Sequence, residues 1–134
     1  MEFRYALEPD LMAEEFRDVL VASTLGERRP VDDLARLDKM LRKADIIVTA
    51  RDGAKLVGIS RAVSDFSWCC YLSDLAVDAA YQHKGIGKRL IAETRTAAGD
   101  SASLFLFAAP AAEGYYGKAG MNPMPNGWVI MRER

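Results

Sequence analysis

Tyr71-Leu72-Ser73-Asp74-Leu75-Ala76-Val77-Asp78-Ala79-Ala80-Tyr81-Gln82-His83-Lys84-Gly85-Ile86-Gly87-Lys88-Arg89-Leu90-Ile91 decides the reading of this chain. It reads as a strand, a loop carrying Gln-x-x-Gly-x-Gly, and the opening of an amphipathic helix. The two glycines let the main chain turn tightly and approach a ligand closely. The unpaired amides of the first helical turn and the positive end of the helix dipole then face a phosphate or pyrophosphate. Because the loop begins where a strand stops, the anion site sits where a sheet opens.

Two other phosphate motifs fail on these residues. A Walker A loop needs a Ser or Thr after its lysine, where Lys88 is followed by Arg89, and an earlier glycine that is absent. A dinucleotide fingerprint needs a third glycine where Leu90 stands and an acid about 20 residues on. The apolar run Leu104-Phe105-Leu106-Phe107-Ala108-Ala109 fills that region. NAD and ATP are disfavoured, and a pyrophosphate-bearing ligand of another kind is left.

The segment Gln82-His83-Lys84-Gly85-Ile86-Gly87 resembles the acetyl-CoA-binding motif of the GCN5-related N-acetyltransferase (GNAT) superfamily, Arg/Gln-x-x-Gly-x-Gly/Ala. Downstream, Glu113-Gly114-Tyr115-Tyr116-Gly117-Lys118-Ala119-Gly120-Met121 is similar to that family's Phe-Tyr-x-Lys-x-Gly-Phe segment. Tyr115 and Met121 stand in the two phenylalanine places.

The rest of the chain is consistent with one α/β domain over residues 1–134. At 134 residues the chain is long enough to bury a core, and half its residues are hydrophobic. The net charge of −1 argues against a nucleic-acid surface. No basic segment leads into an apolar core at the N-terminus, and no apolar run approaches a membrane span, so the cytoplasm is expected and no membrane partner. Cys69 and Cys70 are neighbours, so in a strand they point to opposite faces and neither a mutual disulfide nor a shared metal site is expected. One histidine makes a poor zinc inventory.

Expected elements are a strand over 3–7, a helix from Pro9-Asp10 to about Leu25, and a break at Gly26–Pro30. A second helix opened by Asp32-Asp33 follows, with an apolar stripe at Leu34, Leu37, Met40 and Leu41. Strands follow over 46–50, 55–60 (after an Asp52-Gly53 turn) and 68–77, then a helix over 86–98 and a strand over 104–108. A short helix over 111–119 and a last strand over 127–132 complete the order β-α-α-β-β-β-α-β-α-β. That order describes a mixed central sheet flanked by helices, and it matches the GNAT (acyl-CoA N-acyltransferase) order.

The resemblance implies an acetyl-CoA-dependent N-acetyltransferase. It assigns the pyrophosphate to Gln82, His83, Lys84, Gly85, Ile86, Gly87 and Lys88. It lays the pantetheine arm along the backbone of Leu75, Ala76 and Val77, whose side chains can pack in the core at the same time. It makes Tyr116 the general acid for the leaving thiolate. A phenol titrates near 10 and a thiol near 8.5, so a tyrosine serves best by hydrogen bonding to sulfur as charge develops. Asp74, just before the cofactor edge, is the candidate base, acting directly or through water; the alternatives for it are a solvated or salt-bridged strand carboxylate, or one that binds the substrate ammonium. With the sole histidine inside the loop, a covalent Ser-His-Asp or Cys-His route is disfavoured, and direct transfer is expected.

Two departures from the family pattern stand out. Ala108-Ala109-Pro110-Ala111 offers no asparagine after the fifth strand, and Gly117 weakens the short helix holding Tyr116. The acceptor, a small-molecule or peptide amine, is expected to be selected by residues 25–31 and 64–68, and Glu27, Asp65 and Asp74 could attract a cationic amine, although exposed carboxylates are common. A homodimer is expected only because two-fold dimers are the commonest assemblies. The alternative function is a non-catalytic acyl-CoA-binding domain of the same fold.

Overall fold

The β-branched run at Ile46 builds the middle of the sheet. In the computed structural model, which describes residues 2–134, β2 (Ile46–Asp52) turns at Ala54 into β3 (Lys55–Ser64). Met1, the first residue of the expected domain, lies outside the described residues. β1 (Arg4–Leu7) pairs with β2, β4 (Cys69–Val77) with β3, both antiparallel, and β5 (Ser103–Phe105) with β4 in parallel. The spatial order is β1-β2-β3-β4-β5. A parallel neighbour requires a crossover, and α3 (Ile86–Ala98) supplies it.

Period-two alternation divides the strands between two cores. Ile47, Leu56, Ile59 and Ala76 pack with Phe16, Val19 and Leu20 of α1 (Ala13–Ser23) and Leu37 and Leu41 of α2 (Leu34–Lys43). Val48, Ala50, Val57, Ala62, Cys70 and Leu72 pack with Ile86, Leu90 and Ala98 of α3 on the other face. Asp33 caps α2 by accepting from the Arg36 amide at 3.0 Å. Gly58 lets α3 lie close on the sheet: a Cβ there would meet Ile86 Cγ2 at 3.0 Å and Leu90 Cδ1 at 3.1 Å. The adjacent cysteines part as alternation requires, Cys69 exposed and Cys70 buried, and both are free.

Arg51 is an ion-pair hub that sequence patterning did not flag. It donates to Glu8 Oε1 and Oε2 at 2.8 Å each and to Glu15 Oε2 at 2.8 Å, tying β2 to α1 and to the residue that follows β1. Its side chain is only 10% exposed, a burial that a guanidinium tolerates when paired.

Two expectations are corrected. β5 ends at Phe105 instead of Ala108, because its ladder with β4 stops at the pair Tyr71/Phe105. No strand forms over 127–132, where Trp128 is 94% and Ile130 99% exposed. Pro123 and Pro125 withhold two N–H groups just before it. The chain end instead lies at α2, where Arg36 Nη2 donates to the Arg134 carbonyl at 2.9 Å.

Candidate active site

The Gln-x-x-Gly-x-Gly segment forms the turn between a short 3-10 helix at Ala79–Tyr81 and α3. His83 and Gly85 adopt left-handed backbone, with φ of 64° and 81°, and so wind the loop into the helix. Gly85 is the α3 N-cap and provides no side-chain cap. The first intrahelical bond is Arg89 N–H to the Gly85 carbonyl at 3.1 Å. The amides of Ile86, Gly87 and Lys88 therefore precede any helical acceptor, and the loop leaves them open with Lys84 and Lys88 exposed beside them. The Gly85 position meets nothing within 4 Å, so its glycine answers to backbone conformation and not to crowding.

Beside this loop the sheet comes apart. Arg61 faces Asp74 across β3 and β4 while Ala62 faces Leu72, which makes Ser73 an extra residue, a β-bulge. Below the bulge, Cys69–Tyr71 pair with Ser103–Phe105; above it, β4 has no strand on its β5 side. Asp78 N–H donates to the Val57 carbonyl at 2.8 Å, so residues of that parity, Ala76 included, turn their backbone groups to β3. Leu75 and Val77 turn theirs to the open edge, where the Gln82 amide donates to the Val77 carbonyl at 3.3 Å. Ala76 thus contributes by packing its methyl in the α1/α2 core, while Leu75 and Val77 lean on the α3 core. Tyr71, Phe105 and Phe107 cluster where the strands part, with the first two rings stacked at 5.2 Å.

The bulge also decides the surroundings of Asp74. Its side chain is fully buried, and its two oxygens accept from Arg29 Nε and Arg61 Nε. Arg29 Nη2 donates further to the Ser73 carbonyl, and Arg61 Nη2 to Ser73 Oγ, both at 2.9 Å. Guanidiniums on both oxygens and no solvent exposure leave the carboxylate poorly placed to reach a substrate amine. The geometry favours the salt-bridged alternative over the base. Asp65 is likewise occupied: it accepts from the amides of Ser67, Trp68 and Cys69, which hold its carboxyl down at about 2. Among the described residues, Glu27, the third acid that could attract a cation, makes no such side-chain hydrogen bond or ion pair.

The expected short helix is a 3-10 turn, Pro110–Ala112, running into α4 (Glu113–Lys118). It carries Tyr115 and Tyr116, whose rings meet edge to face at 5.3 Å. Burial pushes the Tyr116 phenol up, and the neighbouring Tyr115 pushes it in the same direction, so it stays protonated at neutral pH. α4 is brought to the Gln82–Lys88 loop, with the Tyr115 hydroxyl against Gly87.

Comparison with known proteins agrees with this geometry. The Acetyltransferase (GNAT) family model matches residues 10–121. The chain belongs to the GNAT family of acetyltransferases. A GNAT-family acetyltransferase from Streptococcus pneumoniae TIGR4 superposes with a TM-score of 0.80 at 21% identity, covering 99% of this chain and 100% of that one. A probable acetyltransferase from meticillin-resistant Staphylococcus aureus gives 0.80 at 19% identity, over 98% and 99% of the two chains. An aminoglycoside N-acetyltransferase in complex with CoA gives 0.74 at 16% identity, over 99% and 96%. No curated protein matches the chain in sequence.

In this GNAT chain Gln82 ties the loop to the open edge at Val77, and Tyr115 brings α4 against Gly87 of the same loop. Asp74 lies beyond the bulge, in the α1/α2 layer. Sequence reading missed Arg29, Arg61 and the bulge. Two signals for them existed: the polar pair Ser73-Asp74 interrupts the alternation between Leu72 and Leu75, and Arg61 puts a charge in the interior of a largely apolar strand. No helix among the described residues is long and apolar enough to cross a membrane.

Proposed function

We propose that this GNAT protein transfers an acetyl group from acetyl-CoA directly to a primary amine, as a cytoplasmic enzyme. One observation carries the reading: the unsatisfied amides of Ile86, Gly87 and Lys88 lie next to a strand edge that has lost its partner. The first fits a diphosphate, and the second fits the amides of a pantetheine arm, which pair as an added strand would. In this reading Gln82, His83, Lys84, Gly85, Ile86, Gly87 and Lys88 hold the diphosphate, and Leu75 and Val77 bond the arm through their backbone. The CoA complex and a bisubstrate-analogue complex of the aminoglycoside acetyltransferase neighbour support such a ligand and a small-molecule amine acceptor.

The chemistry asked of the chain is modest. The amine nitrogen bonds to the thioester carbonyl carbon, the C–S bond breaks, and the nitrogen gives up one proton. Tyr116 donates a hydrogen bond to the sulfur as negative charge develops there and the thiolate leaves. Burial keeps the phenol protonated, and its raised pKa limits it to that hydrogen bond rather than full proton transfer. With Asp74 held by two guanidiniums, the proton from nitrogen leaves through water. The acceptor passes the loop at Leu25–Arg28, which Arg29 fastens to β4.

The test is calorimetric titration of acetyl-CoA into the wild type and Gly85→Glu, followed by an amine-library screen with Tyr116→Phe as control. Binding lost in Gly85→Glu, and turnover reduced about a hundredfold in Tyr116→Phe, are expected. No binding by the wild type would sink the proposal. Binding without turnover of any amine would favour the non-catalytic acyl-CoA-binding domain.

A further inference from the structure

Tyr115 stands where the family pattern has phenylalanine, and the packing of its ring against Tyr116 would be served equally well by phenylalanine. The hydroxyl has a different address. A Cβ built on Gly87 would lie 2.6 Å from Tyr115 Oη and 3.3 Å from its Cζ. The phenol therefore reaches from α4 to the second residue of α3, where the open amides are. Gly87 is the residue that admits it: any side chain there meets the hydroxyl first. Tyr115 is 40% exposed, so a ligand can approach it.

We propose that Tyr115 is a ligand-binding residue of the phosphate site, its hydroxyl donating a hydrogen bond to an oxygen of a diphosphate held on the Ile86–Lys88 amides. This rests on the acyl-CoA reading above and adds a donor that the Gln-x-x-Gly-x-Gly motif does not contain. Burial pushes the Tyr115 phenol up, so it is a neutral O–H donor throughout the neutral range. A diphosphate oxygen is a charged acceptor, the case in which such a bond is strongest. The assignment also gives this chain a second reason for glycine at position 87. Close approach of the phosphate is one, and room for the phenol is the other.

The experiment compares two ligands on wild type and Tyr115→Phe, a variant that keeps the ring and its edge contact. CoA is titrated by calorimetry, and pantetheine, which has the arm but no phosphate, by NMR. Affinity of Tyr115→Phe for CoA should fall about tenfold, the loss of one hydrogen bond to a charged acceptor, with pantetheine binding unchanged. CoA affinity within twofold of wild type would overturn the assignment. Equal losses for both ligands would overturn it too, since they would reveal a packing role for the ring. A wild type that binds no CoA would instead defeat the proposed function itself, and this inference with it.

Discussion

Replacing Asp74 by alanine separates a carboxylate that builds the site from one that works in it. Its side chain is fully buried, and its partners Arg61 and Arg29 are 10% and 21% exposed. Removing one member of a buried ion pair costs about 3–5 kcal/mol, because the remaining charge is stranded. Arg61 carries most of that cost. Arg29 lies nearer to water, rehydrates, and adds at most about 1 kcal/mol. For a urea slope of about 1.5 kcal/mol/M, the unfolding midpoint should fall by about 2–3 M with an unchanged slope. Asp74→Asn keeps the volume and one acceptor oxygen and should lose about half as much. A double variant, Asp74→Leu with Arg61→Met, should regain most of the loss, since an apolar pair of similar volume replaces a buried ion pair at little cost. A midpoint within about 0.3 M of wild type in Asp74→Ala would refute the anchor. If acetyl transfer then collapsed and its acid limb moved, Asp74 would be the base after all.

Other perturbations follow from the same geometry. Gly85→Ala forces a side chain into φ 81° with no clash around it, so a thermal melt should show about 1–2 kcal/mol of strain alone. Gly58→Ala should cost about 1–3 kcal/mol in chemical denaturation, because Ile86 and Leu90 must shift to admit the methyl. The Glu8 carboxyl is held below its usual value, first by the Arg51 hydrogen bond. Its contribution to stability is therefore present above the unfolded value near 4.3 and is lost as pH falls through the lower folded value. Melting temperature against pH should show that acid-side loss in wild type and a flatter profile in Glu8→Gln.

Local signals carried the helices and strands, since each expresses its own periodicity within ten or so residues. Asp33 before Leu34, Asp52-Gly53 between two β-branched runs, and Gly85 at the start of α3 all act where they stand in sequence. The loop from Gln82 to Lys88 was legible for the same reason: its turn into α3 is a backbone conformation encoded locally by its glycines. What stayed hidden depends on residues far apart in the chain. Arg29 and Asp74 are 45 positions apart, and Glu8 and Arg51 are 43 apart. The length of β5 was overestimated because Leu106 and Phe107 have strand character but no neighbour to bond. The final strand was expected on composition alone, and composition does not supply a ladder partner.

The bulge at Ser73 links the parts of the site that sequence reading kept separate. One extra residue in β4 turns both Ser73 and Asp74 toward Arg61, which ordinary alternation would forbid. The ladder between β4 and β5 ends two residues before it, at Tyr71. The freed Ser73 carbonyl is then taken by Arg29, which brings the end of the Leu25–Arg28 turn to the rim of the gap. The open edge of β4 and the fastening of the Leu25–Arg28 turn thus both go with a single insertion in register. Asp74 supports both: with Arg61 it holds the bulge, and with Arg29 it holds the loop. This explains why a buried charge cluster sits on the strand beside the proposed site. An apolar cluster could hold the layers together, but it would not give the Ser73 carbonyl a donor once β5 has left.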